Sequence, residues 1–489
     1  MFGRAVVACA LVTWGGLSAS AQVTPLSRDL NPSRTALSRI GLERGWYAGM
    51  PLGAGERIIE ISTSDGLFFA QSNLGGFHVL DAETGRKLWS INLGVRSYDA
   101  FPASASKNTV YVTNSNYLHA IDRKTGRPIW NVLLPGLPSS ATAISPGLPM
   151  EKNEPPRISN IATGYVVPTD GEIVMVGLAS GKVYAYTLVK QTVHHETTTE
   201  ELTVPTQVWN WQAGGPMTAR PVAANRVVAF AGYDGRSYVV MRDERTPVNR
   251  FVTGGPIVAS MGTHDTRTLI IASMDYNIYA VDLFTANQKW VFPTGSPALQ
   301  EPLISDSDVY VVNERGILTS LDVESGKPRW SVPTLGGPLL ALSPTRIYLE
   351  SRDGDIFIVD RKSGAMIAEP RVTFERAGVR TREYSMEITN SENDRLYFGT
   401  EYGQVLCLRE IGATQPRPLR KPGAKPFGYI PPEGDPKFMQ GQTGVPADAQ
   451  SAADAEAPKP DADAPKADGD APKPDADAPK ADGDAPKPE

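Results

Sequence analysis

Phe77-His78-Val79-Leu80-Asp81-Ala82-Glu83-Thr84-Gly85-Arg86-Lys87-Leu88-Trp89 decides the fold, because the pattern returns. It comes back as Tyr117-Leu118-His119-Ala120-Ile121-Asp122-Arg123-Lys124-Thr125-Gly126-Arg127-Pro128-Ile129-Trp130, and again as Ile317-Leu318-Thr319-Ser320-Leu321-Asp322-Val323-Glu324-Ser325-Gly326-Lys327-Pro328-Arg329-Trp330. Asp81 to Asp122 spans 41 positions, Asp282 to Asp322 spans 40, and Asp322 to Asp360 spans 38. A period near 40, built of alternating strands and tight turns, marks a stacked or radial repeat. The expected fold is all-β: a propeller of four-stranded antiparallel blades.

Eight copies can be traced. Their first hairpins carry Leu67-Phe68-Phe69, Val110-Tyr111-Val112, Ile173 to Val176, Val227 to Phe230, Leu269-Ile270-Ile271, Val309-Tyr310-Val311, Ile347-Tyr348-Leu349 and Leu396-Tyr397-Phe398. Glycine, Asn or Asp follows each, as two-residue hairpin turns require. The second turn, Asp-x-x-Thr/Ser-Gly, is read as an Asx-turn. Asp81, Asp122, Asp322 and Asp360 would accept a nearby backbone N–H, and Gly85, Gly126, Gly326 and Gly364 would close the turn. The same aspartates could be metal ligands or acids, but they recur at one repeat position rather than converging. A short helix is expected near Asn31 to Ile40, with Asn31 as cap and Pro32 at its first position.

The aromatic after that turn is regular too. Trp89, Trp130, Trp209, Trp290 and Trp330 stand five or six residues before Gly94, Gly136, Gly214, Gly295 and Gly336. Over residues 46–410 this combination resembles the PQQ-like repeat of the quinoprotein dehydrogenase-like superfamily, closest in type to the non-catalytic BamB-like propellers of outer-membrane protein assembly. The resemblance implies that each Trp lies between adjacent blades. Asn249 and Ala368 hold that position in repeats four and seven, so those two contacts are expected to be weaker. Repeat eight lacks its last strand after Val405-Leu406-Cys407-Leu408. The strand around Trp46, from Arg44 to Met50, is expected to close the ring.

The expected organisation is a signal peptide at 1–21, an N-terminal segment at 22–43, the propeller at 44–410, a Pro-rich linker at 411–443 and a disordered acidic tail at 444–489. The leader reading rests on Arg4, the apolar run Ala5 to Val12 and Ser18-Ala19-Ser20-Ala21. A lipidation box at Val6 to Cys9 comes too early to leave room for a signal. The tail repeats Ala, Pro, Asp and Lys, with five Lys against twelve Asp/Glu, a net of −7. Such a composition cannot bury enough surface to fold; it reads as a spacer, or as a weak cation binder or docking segment. The whole chain carries −6, so no basic field invites nucleic acid.

No Gly-x-Ser-x-Gly elbow or phosphate loop occurs. Asp353-Gly354-Asp355 lacks the other oxygen ligands of a calcium loop. His78 and His119 are expected as partly buried strand residues, Cys407 as a buried, inert thiol. His194-His195, with Glu196, Glu200 and Glu201, gives a weak metal signal without zinc-type spacing. The resemblance raises a PQQ-dependent quinoprotein dehydrogenase as the alternative function. The chain has neither the adjacent cysteines nor the long inter-repeat segments such enzymes use. No catalytic, cofactor-binding or metal residues are assigned, and no cofactor.

Extra length in the repeats points to binding. The excess lies at Pro135–Pro168, at Lys190–Pro205 and at Pro370–Asn390, which holds Arg371, Arg376, Arg380 and Arg382. The first is assigned mainly to the connection between repeats two and three, the second to the outer hairpin of repeat three. Both are expected to open on one face, with neither supplying a blade strand. The expected function is an exported, periplasmic or envelope-associated scaffold, monomeric and non-catalytic, that binds a protein or glycan partner.

Overall fold

The computed structural model describes residues 30–429, apart from short stretches that include 148–157, 161–164, 167–170, 195–198, 369–375 and 422–424. The proposed leader and the acidic tail lie outside the described residues.

Strand pairing produces eight four-stranded antiparallel sheets, arranged in sequence order. Blade 1 is Ile58–Ser64, Leu67–Ser72, Gly76–Asp81 and Lys87–Asn92; blade 2 is Ser104–Ala105, Thr109–Asn114, Tyr117–Asp122 and Pro128–Leu133. Blade 3 is Ala143–Ser145, Ile173–Gly177, Lys182–His194 and Thr199–Gln212; blade 4 is Val222–Ala224, Val227–Ala231, Arg236–Met241 and Pro247–Val252. Blade 5 is Gly262–His264, Thr268–Ser273, Asn277–Asp282 and Gln288–Pro293; blade 6 is Leu303–Ile304, Asp308–Val312, Ile317–Asp322 and Pro328–Pro333. Blade 7 is Leu339–Leu342, Arg346–Glu350, Ile356–Asp360 and Met366–Ala368. Blade 8 takes Met386–Glu387, Leu396–Gly399 and Gln404–Glu410, then Leu42–Gly49 from the start of the chain as its outermost strand. The protein is an eight-bladed β-propeller, closed by its N-terminal strand.

The second and third strands are almost wholly buried, with patterns such as Leu67–Ser72 buried throughout, while the fourth alternates. The inner sheets are therefore sandwiched between neighbouring blades and read as continuous Val/Ile/Phe runs. The core is not one mass but a series of clusters, most of them at a blade junction. One example joins Phe69, Phe77, Val79 and Trp89 of blade 1 to Val110, Val112 and Ile121 of blade 2.

Within a blade the chain alternates direction from the axis outward. Turns 1–2 and 3–4 therefore share one face, called the upper face. Turns 2–3 and the connections between blades share the lower face. This geometry corrects the placement of the inserted segments. Ala143–Ser145, inside the first excess, pairs with Ile173–Gly177 as the innermost strand of blade 3. So this insertion does supply a blade strand, and the residues after Ser145 form an upper-face 1–2 turn rather than a connection. Lys190–Pro205 is not a separate loop but a continuation of the two outer strands, in register from Lys190↔Thr203 to His194↔Thr199. It too opens upward, opposite the connection. Its Thr- and Val-rich sequence favours pairing, which is why the ribbon runs on. The third excess likewise holds a strand, Met386–Glu387. Inner strands of two to four residues carry no readable alternation, and the sequence hid them.

The expected helix is Arg34–Arg39, and its cap is Ser33 rather than Asn31: Ser33 Oγ accepts from the Ala36 N–H at 3.1 Å. Asn31 instead accepts from the Arg44 guanidinium on the closing strand. The helix packs Ala36, Leu37 and Ile40 together with Ala368, Ala377 and Val379, beside blades 7 and 8.

Candidate functional site

The repeated aspartates are structural. Asp122 Oδ1 accepts from Thr125 N–H and Oγ1–H, both at 2.7 Å, and Asp81, Asp282, Asp322 and Asp360 repeat the arrangement. These bonds hold the carboxyls of Asp122, Asp322 and Asp360 below the usual range. Gly126, with φ of 70°, closes the turn. It must also lack a side chain, since a Cβ there would lie 2.7 Å from the Trp89 indole. Gly85, Gly326 and Gly364 lie in the same way against Trp46, Trp290 and Trp330.

The tryptophans do more than cover the next blade. Trp46, Trp89, Trp209, Trp290 and Trp330 donate their indole N–H to the carbonyls of Ala82, Arg123, Arg242, Val323 and Arg361, at 2.7–3.3 Å. Each acceptor follows the position of the turn aspartate in the next blade. Trp46 closes the ring this way and contacts Phe68 edge-on at 5.7 Å, as expected for the closing aromatic. Trp130 is the exception: its buried N–H has no partner. In blade 3 the corresponding turn is absent, because the strand continues past Thr187 and Leu188.

A second link closes the ring. Arg395 of blade 8 is fully buried and grips Glu83 of blade 1 with Nε and Nη2 at 3.0 and 2.8 Å, while Nη1 meets Asp394 at 3.0 Å. Nothing in the repeat pattern announces a pair 312 positions apart.

The residues considered for chemistry are dispersed. His78 and His119 point into blades 1 and 2, and burial pushes both imidazole pKa values down, favouring the neutral form. Cys407 is buried opposite Trp46 in the strand register, and burial pushes its thiol up, away from thiolate reactivity. Asp355 is held by Arg382, at 2.7 Å from Nε, and is thereby taken out of any calcium loop. His194 ends a blade-3 strand, and His195 lies outside the described residues.

One trio does converge: His264, Asp265 and Glu324, with Nε2 of His264 3.2 Å from Glu324. Asp265 is already committed, however. It accepts from Arg267 N–H and from both Thr268 N–H and Oγ1–H, with Lys289 at 3.6 Å supplying the counter-charge. Farther in, Glu60 and Glu387 come from the inner strands of blades 1 and 8, and Glu350 ends the second strand of blade 7. Burial and mutual repulsion push Glu60 and Glu350 up to about 8. Burial raises Glu387 as well, and Glu350 and Glu387 share a hydrogen bond.

What departs from the eightfold repeat is blade 3. Its outer strands have 13 and 14 residues where the other blades' corresponding strands have at most eight. The short ribbon Ile158–Asn160 with Tyr165–Val166, from the 1–2 turn, lies against the outermost strand. The two insertions therefore meet on the upper face, raised above the ring. This is the candidate binding surface.

A family model described as outer membrane protein assembly factor BamB matches residues 28–258 and again residues 242–435. Among solved structures, BamB from Moraxella catarrhalis is similar over 75% of this chain and 97% of its own, at 17% identity and a TM-score of 0.54. The computationally designed Ika8 protein matches 72% of this chain and 96% of its own, at 16% identity and a TM-score of 0.49. No curated protein matches. With its eight PQQ-type blades and their tryptophan junctions, the chain belongs to the BamB-type family that this model describes.

Proposed function

We propose that this protein is a non-catalytic scaffold exported to the cell envelope, and that the raised ridge of blade 3 binds a protein or glycan partner. The observation that carries the reading is the double extension of that blade. Two insertions from different turns, absent from the other blades, meet on one face of an otherwise regular ring. A rigid scaffold that spends its irregular length in one place concentrates binding there. The leader-like start, Met1 to Ala21, supports export, and the family supports an envelope role. Titratable groups spread among several junctions support a role without chemistry.

Val189 and Val204 pair directly, so residues 190–203 can be replaced by a two-residue Asn-Gly turn with no change to the blade below. The shortened chain should melt as the parent does and lose partner recovery when crosslinked in its native host. Full recovery would place the binding surface elsewhere, with Pro370–Asn390 the next candidate.

A further inference from the structure

After the last strand, the stretch Thr414 to Tyr429 carries Arg417, Arg420, Lys421 and Lys425, four prolines and no acid. It does not leave the propeller. Arg417 donates its N–H to Asp394 Oδ1 at 3.0 Å, and Pro418 bridges to Asn393. Leu419 N–H reaches the Glu392 carbonyl at 3.1 Å, and its side chain packs on the cluster between blades 6 and 7. The Arg420 guanidinium donates to the Thr263 carbonyl and hydroxyl in blade 5, while Lys421 N–H meets Asp306 Oδ1 of blade 6 at 3.2 Å. Phe427 joins the cluster between blades 4 and 5, where Gly428 N–H reaches the Thr266 carbonyl at 2.8 Å.

Nearly every receiving group lies in a 1–2 turn or at the end of an inner strand. The described parts of the segment therefore lie on the upper face near the axis, against blades 8, 6 and 5 for Arg417–Lys421 and blades 4 and 5 for Phe427 and Gly428. Its charge is matched there, since Arg420 faces the carboxylates of Glu301, Asp306 and Asp265. Four prolines in 16 residues favour an extended backbone and lower the cost of ordering it. The attachment is nonetheless shallow. Arg417 and Arg420 stay exposed, Leu419 and Phe427 are half-buried, and no described residue of the segment joins a sheet of the ring.

We propose that the upper mouth of the propeller is an acidic peptide site, filled here by the chain's own Arg417–Lys421 and Phe427–Tyr429 and able to take a basic, proline-bearing extended segment of another protein in its place. The recognition elements are the Asp306 and Glu301 side chains for charge, Asp394 Oδ1 and the carbonyls of Glu392 and Thr266 for the peptide backbone, and two apolar seats for Leu419 and Phe427. This site is separate from the blade-3 ridge, so either can fail without the other.

The test uses the full chain and a fluorescein-labelled synthetic peptide of residues 414–429. A variant carrying Leu419→Ala, Arg420→Ala and Phe427→Ala together releases its own segment and should bind the peptide at least tenfold more tightly than the parent. A peptide with Arg420→Ala should bind that variant at least tenfold more weakly. Excess peptide added to the unmodified chain should remove hydrogen-exchange protection from the amides of Leu419, Lys421 and Gly428. The proposal is overturned if the variant, melting as the parent does, captures no peptide. Should the variant misfold, the exchange measurement decides alone: amides still protected at saturating peptide make the segment a fixed part of the fold.

Discussion

The side-chain amide of Asn249 donates to the Leu283 carbonyl at 2.7 Å, the bond that an indole makes at five other blade junctions. The junction between blades 4 and 5 has lost its tryptophan but kept the tryptophan's hydrogen bond. What it cannot keep is the ring lying over the next blade's turn. The turn of blade 5 has changed in step: Ala286, at φ of 55°, stands where glycine stands in blades 1, 2, 6 and 7. With no indole above, a methyl group fits.

That relationship gives a double-mutant cycle. Asn249→Trp alone should destabilise the protein, because the new ring meets the Ala286 methyl. Asn249→Trp with Ala286→Gly should recover the loss and add apolar burial, giving a coupling of about 1–2 kcal/mol between the sites. The reverse test is Gly126→Ala, which adds a Cβ under Trp89 at a left-handed position and should cost about 1–3 kcal/mol. Urea unfolding of these three variants and of Ala286→Gly alone measures each term, and independent effects of 249 and 286 would refute the pairing.

Trp46 joins the two ends of the described fold. It is buried between blades 8 and 1, with its N–H on Ala82 and its ring on Phe68. Trp46→Ala should cost about 3–5 kcal/mol, as large aromatic truncations in cores do. Deleting residues 22–50 should lower the melting temperature sharply, because blade 8 then exposes an unpaired edge. An unchanged melt for the deletion would mean that the ring holds without its closing strand, and one for Trp46→Ala that the indole contributes nothing to the junction.

The repeat, the blade count, the junction tryptophans and the closing strand were all legible in the sequence, because each is a local pattern that recurs. The inner strands were not, since Ser104–Ala105 or Leu303–Ile304 is too short to alternate. Asn249 and Ala368 looked alike as gaps in the tryptophan series, yet only the structure separates them. Asn249 replaces the bond, whereas at Ala368 the helix Arg34–Arg39 and Val379 fill the space from a distance in sequence. Arg395 with Glu83 escaped for the same reason, being a single long-range pair with no repeat to expose it. The candidate surface was visible as excess length, but its face depended on where Ala143–Ser145 begins the blade.

Addition of PQQ and calcium to the purified protein should not yield dye-linked oxidation of alcohols or aldehydes. Cys407 is buried and alone in the described residues, and Asp355 is bound by Arg382, so neither offers the ligands that such a cofactor would use. PQQ-dependent turnover would overturn the non-catalytic reading and leave the fold untouched.

The carboxyl cluster gives the protein a pH signature that one substitution can isolate. Glu350 is pushed up from 4.5 to about 8 by burial, then by the Glu387 carboxylate and by Asp355, itself held by Arg382. The folded state therefore holds this proton more tightly than the unfolded chain does. The stabilisation is complete below about pH 4.5 and is lost as the pH rises through about 8. His78 and His119, with lowered pKa values, act in the opposite direction: their contribution is present above the unfolded pKa of 6.5 and is lost as the pH falls. The parent's profile mixes the two, so the informative quantity is the difference between parent and Glu350→Gln. The amide keeps the shape and the hydrogen bond to Glu387 but cannot ionise. It should be near neutral at pH 5 and stabilising at pH 8.5, by at least about 1 kcal/mol. Thermal melts of both proteins across that range measure the difference. A gap that stays constant with pH would mean that Glu350 is ionised in the folded state throughout.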